Sequence, residues 1–165
     1  MSKWTEGQWQ YSVESPQLLD RMPLLIEALG FRFYAFTFIS PSRRNTVTNY
    51  PIRWIEHYDR HGYAAVDPVP LHCRTSCFPL LWRAQIFGNA PDIWTEAQVC
   101  GLRHGWVQPI HDQQAHSNLS VLRSHVSVST EEFYEKAHYV MQLGEQLHSA
   151  LRCADSTSRR LSQQR

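Results

Sequence analysis

Between Asn49 and Trp82 the chain gathers side chains suited to holding a small molecule. Tyr50, Trp54 and Tyr58 recur at four-residue spacing, which puts them on one face if the segment is helical. Asp67 stands as one carboxylate in an Asp67-Pro68-Val69 run, and Trp82 closes a Pro79-Leu80-Leu81-Trp82 run. An indole N–H only donates, an ionised carboxylate only accepts, and a phenol does both. Set in an apolar wall, such a group matches the make-up of a small-molecule site, in which a few fixed polar groups orient the guest. Taken singly, Trp54, Tyr58 and Trp82 read equally well as core aromatics, and Asp67-Pro68 as a turn or a helix cap.

The residues that do covalent chemistry lack partners. Cys73, Cys77, Cys100 and Cys153 are spread out, and no second Cys or His pair follows Cys73-x-x-x-Cys77 at ligand spacing, so free thiols are expected, with no metal and no cofactor. The nine histidines form no H-E-x-x-H or similar constellation. Ser120, Cys73 and Cys77 have no recognisable base beside them in sequence, so no enzyme is expected. The 165 residues carry 16 basic and 15 acidic side chains, a net charge of +1, so no global field draws the chain to nucleic acid or anionic lipid. Met1-Ser2-Lys3-Trp4 leads into polar sequence, not an apolar leader core, and no apolar run approaches the ~20 residues of a membrane span. A cytoplasmic location follows as an expectation.

The elements that must position these residues are legible in outline. Residues 1–14 read as a short amphipathic helix or arm carrying Trp4, Trp9 and Tyr11. Ser15-Pro16 supplies a cap and a first-turn proline for a helix with Leu18, Leu19, Met22, Leu25, Ile26 and Leu29 at helical spacing, stopped at Gly30; Pro23 inside it predicts a kink or a later start. Phe31 to Ile39 predicts a buried strand, Ser40 to Arg44 a loop, and Asn45 to Thr48 a short strand. A helix opens at Pro51. Pro68, Pro70 and Pro79 predict irregular chain or short helical turns. Pro91 opens a helix running to Gly101, and Trp106 to His111 and Asn118 to Arg123 predict two strands around the polar turn Asp112 to Ser117. Ser129 with Glu132 three residues on is a capping box, and the last helix shows a stripe of Phe133, Ala137, Val140, Met141, Gly144, Leu147 and Leu151.

In order, the chain reads N-Y-P-x-x-W-x-x-x-Y-x(8)-D-P-V from Asn49, P-L-L-W from Pro79, E-A-x-x-x-G-L-x-x-G-x-x-x-P from Glu96, and Leu119-Ser120. This ordered set, between about Leu18 and Leu151, resembles the acyl-homoserine-lactone sensing domain of LuxR-family quorum-sensing regulators. The resemblance implies an α/β/α sandwich on a central antiparallel sheet, which the order of elements also fits. It implies that Trp54 donates to the lactone carbonyl and that Asp67, next to Val69, accepts from the amide N–H. Tyr58 and Ser120 would donate to the amide carbonyl, while Tyr50 and Trp82 wall the lactone and the start of the acyl chain. Trp94 and Ala97 lie on the helix that flanks the pocket in the family, Trp94 as pocket wall or plain core. Gly105 is expected to allow a close backbone approach.

Some positions depart from the pattern. The turn before Leu119-Ser120 is short and lacks the family's usual glycines, Pro70 replaces an aliphatic, and the segment from Ile39 to Asn49, which by the resemblance would form part of the acyl-chain wall, is short. Strand alternation puts Asn118 on the face of Ser120, towards the acyl chain, unless the short turn shifts the register and leaves it in solvent. Residues 1–152 are expected to be the autoinducer-binding domain and 153–165 a polar linker towards a helix-turn-helix domain that this chain does not contain. The expected partners are the small-molecule autoinducer, a second copy of the chain in a homodimer, and DNA only through the absent domain. The alternative is a natural short form that antagonises a full-length regulator by heterodimerisation.

Overall fold

Five antiparallel strands, β1 (Phe33–Ser40), β2 (Arg43–Thr48), β3 (Leu80–Leu81), β4 (His104–His111) and β5 (His116–Arg123), form one sheet in the order β2-β1-β5-β4-β3. The computed structural model describes residues 4–164; Met1, Ser2 and Lys3, part of the N-terminal arm and leader reading, and Arg165 lie outside the described residues. Alternation along the strands gives the sheet two faces. On one, Phe36, Phe38, Trp106, Leu119 and Val121 pack against Trp9 of α1 (Glu6–Val13), Met22 and Leu25 of α2 (Leu18–Ala28), and Val140 and Leu147 of α6 (Thr130–Gln163). On the other, Phe33, Val107 and Leu122 pack against Trp54 of α3 (Ile52–Arg60), Cys73 of α4 (Pro68–Thr75), and Ile93 and Ala97 of α5 (Pro91–Val99). This is an α/β/α sandwich on a central antiparallel sheet, as the order of elements predicts.

Several local expectations shift, each for a physical reason. Pro51 caps α3 with extended backbone and does not open it, so Tyr50 precedes the helix. Helix α2 begins at Leu18 after a turn at Ser15 and Pro16, with no side-chain cap, and runs through Pro23. The carbonyl that Pro23 leaves unpaired belongs to Leu19, which is exposed, so water can satisfy it. Gly30 ends α2 at φ 84°, with the Phe31 N–H bonded to the Ile26 carbonyl at 3.0 Å. The proline-rich stretch after Asp67 is an eight-residue helix, because Pro68 and Pro70 both occupy the first turn, where N–H groups have no partner to lose. Strands β4 and β5 each reach further than expected and leave a tight turn whose Asp112 carboxylate accepts from the N–H groups of Gln114 and Ala115 at 2.6 and 2.8 Å.

Helix α6 differs most from expectation. Ser129 accepts from the Glu132 N–H at 3.1 Å, half of the expected capping box. The Glu132 carboxylate turns instead to Arg123, at 2.8 and 2.7 Å, and to Lys136 at 2.7 Å. Those partners hold its pKa down at about 2. Met141 is 40% exposed, and Leu143 and His148 take its place on the buried stripe. The tail is not a free polar linker: α6 continues to Gln163. Asp155, 2% exposed, accepts from Ser42 at 3.0 Å and pairs with Arg159 at 3.3 Å, which seats this stretch on the β1–β2 turn.

Gly105 bears out the expected close approach, for a Cβ there would lie 1.8 Å from the Val121 carbonyl oxygen, whereas one on Gly7 in α1 would meet nothing within 4 Å. Gly105→Ala is therefore expected to lower stability by at least about 3 kcal/mol or to abolish soluble expression. Gly7→Ala should raise stability by about 0.5–1 kcal/mol. Chemical denaturation of both variants measures the contrast.

Candidate functional site

A cavity of about 380 Å³ lies over β1, β2 and β5, on the face covered by α3 and α4. The strand register determines its floor. Ser120 pairs with Ala35 and Asn118 with Thr37 across β1, while Thr48 and Thr46 of β2 lie opposite Ala35 and Thr37. All six face the cavity, so the short turn before β5 does not move Asn118 to solvent. Tyr50, Trp54, Ile55, Tyr58, Asp67, Val69, Pro70 and Trp82 build the opposite wall.

Asp67 is the polar centre of that wall. It caps α4, with Oδ1 accepting from the Val69 N–H at 2.9 Å, and Oδ2 accepts from the Tyr58 hydroxyl at 2.8 Å. One carboxylate thus ties α4 to α3, and Asp67 is a helix cap that also lines the cavity. It is 8% exposed. Burial raises its pKa above the ordinary carboxylate value, opposed by the Val69 and Tyr58 bonds. The Tyr58 phenol is raised by burial and then by the nearby Asp67 charge. The Tyr50 phenol is also raised by burial, with the nearby Ser120 hydroxyl pulling the other way. Trp54 is buried, and among the described residues its indole N–H has no hydrogen-bond partner. The Trp82 indole, by contrast, donates to the Leu102 carbonyl at 2.9 Å, which makes Trp82 a fixed wall.

Eight of the ten candidate residues therefore meet at one cavity. Trp94 and Ala97 do not line it. Trp94 stacks behind the wall, 6.3 Å from Trp82 and 5.6 Å from Phe87 between ring centroids, and Ala97 is fully buried in the same cluster. Sequence reasoning did not single out Ala35, Thr37, Ile55, Asp59, Pro70 or His116 as site residues, while Ile39, Arg44, Thr46 and Thr48 come from the segment expected to wall the acyl chain. Counting outward by twos from Ser120 reaches His116, but the β1 and β2 residues need the cross-strand register. Among the described residues no group of three or more His, Cys, Asp or Glu is placed to hold a metal. Burial and the Asp67 charge push the Cys73 thiol up to about 12, which disfavours its thiolate.

A family model for the autoinducer binding domain matches residues 15–151. The chain is an autoinducer-binding domain of the LuxR family. The transcriptional activator PhzR of Pseudomonas fluorescens is 35% identical over 114 residues, covering 66% of this chain and 47% of PhzR. The quorum-sensing regulator RhlR of Pseudomonas aeruginosa is 32% identical over 112 residues, covering 64% of this chain and 46% of RhlR. The autoinducer-binding domain thus spans about half the length of these curated relatives. The N-acylhomoserine-lactone-dependent LuxR-family factor CepR2 of Burkholderia cenocepacia shares the fold with a TM-score of 0.72 at 21% identity, over 85% of this chain and 88% of CepR2. SdiA in complex with octanoyl-rac-glycerol does so at 0.67 and 24% identity, over 84% of this chain and 59% of SdiA.

The raised pKa of Asp67 has a signed consequence for the autoinducer-binding domain. Above the raised value the folded state holds a charge that burial disfavours. Below it the folded state binds a proton more tightly than the unfolded chain does, so this group's contribution to stability grows as pH falls through the raised value towards 3.8. Asp67→Asn removes that titration. In urea denaturation without ligand, the stability of wild type relative to Asp67→Asn is expected to improve between pH 7 and pH 4. A difference that is flat or moves the other way contradicts the assignment.

Proposed function

We propose that this domain senses an N-acyl-homoserine lactone and passes binding on to transcription control through a DNA-binding domain outside the present chain. The observation that carries the reading is one cavity holding an unpaired indole donor, Trp54, and a buried acceptor, Asp67, within an apolar shell. A lactone head offers the complement, a carbonyl on one side and an amide N–H on the other. Trp54 donates to the lactone carbonyl, and Asp67 Oδ2 accepts from the amide N–H. Tyr58 has one hydroxyl proton, now given to Asp67. An arriving amide supplies Oδ2 with another donor and Tyr58 with another acceptor, so the Tyr58–Asp67 bond opens and both halves are paired again. Ser120 adds a second donor to the amide carbonyl, Tyr50, Val69 and Trp82 enclose the head, and Asn118 meets the first carbons of the acyl chain.

Catalysis is not part of this reading. Ser117, His148 and Asp112 do line up, with Ser117 Oγ 2.7 Å from His148 Nδ1 and His148 Nε2 2.6 Å from Asp112. They lie on the opposite face of the sheet, where Ser117 is fully buried beneath α6. That arrangement fastens α6 to the β4–β5 turn and offers no room for a substrate. No described helix is long and apolar enough to cross a membrane, and the domain is proposed to act in the cytoplasm as a homodimer. Tyr134 and Met141, seven residues apart on α6 and both exposed, supply the self-association surface.

Lactone binding to the folded state alone should add about 2.7 kcal/mol of stability at 100 times Kd, with the ring intact on recovery. Asp67→Asn should weaken binding roughly ten- to a hundredfold, because it removes a charge-assisted bond in a dry site. Trp54→Phe should cost less, since the ring wall stays. Isothermal titration with folding checked separately measures both; tight binding by a well-folded Asp67→Asn protein sinks the head-group assignment.

Met141→Glu is expected to lower the oligomeric mass in light scattering while leaving the melting temperature near wild type. Leu147 is buried, so a charge there tests folding instead.

A further inference from the structure

The end of the cavity away from Asp67 is polar and open. Its sheet side carries Thr37, Arg44, Thr46, His116 and Asn118, with Ile39 the one aliphatic among them. Arg44 and Thr46 are exposed although they line the cavity, so this end reaches solvent over β2. Thr37 and Thr46 hydroxyls bond each other at 3.2 Å. Among the described residues Arg44 makes no ion pair, even though Asp59 also lines the cavity. Arg44 brings a cationic side chain to the lining, alongside the carboxylates of Asp59 and Asp67. The His116 imidazole is held below its usual pKa, first by burial and then by His111, Arg74 and Arg44, with a smaller contribution from His148.

A methyl-ended chain laid along this surface would cover Arg44, His116 and Asn118 without pairing them, and a covered polar group without a partner is unfavourable. An anionic end group supplies the missing acceptor, and its charge favours a proton on His116. The open end also lets such a group keep part of its hydration. His116 lies four residues along β5 from Ser120, roughly 13 Å at strand rise. A medium-length chain, met by the long Arg44 side chain, spans that distance.

We propose that this domain recognises a lactone whose acyl chain ends in a carboxylate seated between Arg44 and His116. The proposal rests on the lactone-sensing reading above and concerns the tail alone.

The test compares matched pairs of ligands, N-adipoyl against N-hexanoyl homoserine lactone and N-suberoyl against N-octanoyl, by isothermal titration at low salt. The carboxylate-ended member of the better-fitting pair is expected to bind three- to tenfold more tightly, roughly the scale of a solvent-accessible ion pair. That preference should shrink in high salt. Arg44→Gln, at an exposed position on an edge strand, should abolish the preference. Arg21→Gln, which removes the same charge from α2, should keep it. Equal or tighter binding of the methyl-ended ligands, or a preference that survives Arg44→Gln, overturns the tail assignment while the lactone-sensing reading stands. Failure of all four ligands to bind overturns that reading, and the tail assignment with it.

Discussion

The wall of the cavity depends on where two oxygens of one carboxylate go. Asp67 holds the first turn of α4 through the Val69 N–H and the middle of α3 through the Tyr58 hydroxyl. A carboxylate this buried is unfavourable unless hydrogen-bonded, and two bonds leave part of its accepting capacity unused. The group therefore serves as a joint between two helices, with accepting capacity to spare in the cavity wall. Desolvation governs its titration: the raised pKa signals that the charged form is under-solvated.

The two faces of the sheet are finished differently. Beneath α1, α2 and α6 the side chains close into a packed core with Trp9, Phe36, Phe38 and Trp106 fully buried. Over the other face, packing is complete only towards β3 and β4, where Phe87, Trp82 and Trp94 form an aromatic cluster, edge-to-face between Trp82 and Phe87, and Trp82 is locked to the Leu102 carbonyl. Towards β2 the strands carry threonines, Asn118, Arg44 and His116, and no helix side chain fills the space above them. A cavity persists because polar floor residues provide little apolar area whose burial would pull a helix down onto them.

Helix α6 and the β1–β2 hairpin meet at the same structural corner. The hairpin presents Arg44 and Thr46 to the cavity and Ser42, at its turn, to Asp155 of α6. Arg159 also donates to Ser42, at 3.1 Å. The strand that walls the open end of the cavity and the C-terminal helix thus share a polar contact within one turn of chain. The Ser117–His148–Asp112 chain fastens the same helix nearer its middle.

Much of this was legible in the residues. Period-two runs of aromatics and aliphatics specify the strands, 3.6-residue stripes specify the helices, and Gly30, Pro91 and Ser129 mark boundaries by local backbone chemistry. The cavity cluster from Tyr50 to Trp82, with Ser120, was recoverable from order and spacing together. Three things were decided only by tertiary contact. The cavity floor on β1 and β2 follows from cross-strand pairing, and no local signal in 35–48 says which strand lies beside β5. Trp94 and Ala97 withdrew from the cavity because Trp82, fixed by a distant carbonyl, stands in front of them. The tail after Arg152 became helix because Asp155 found Ser42, 113 residues away. Propensity and periodicity act over a few residues, whereas a buried polar group takes its partner wherever the fold brings one within reach.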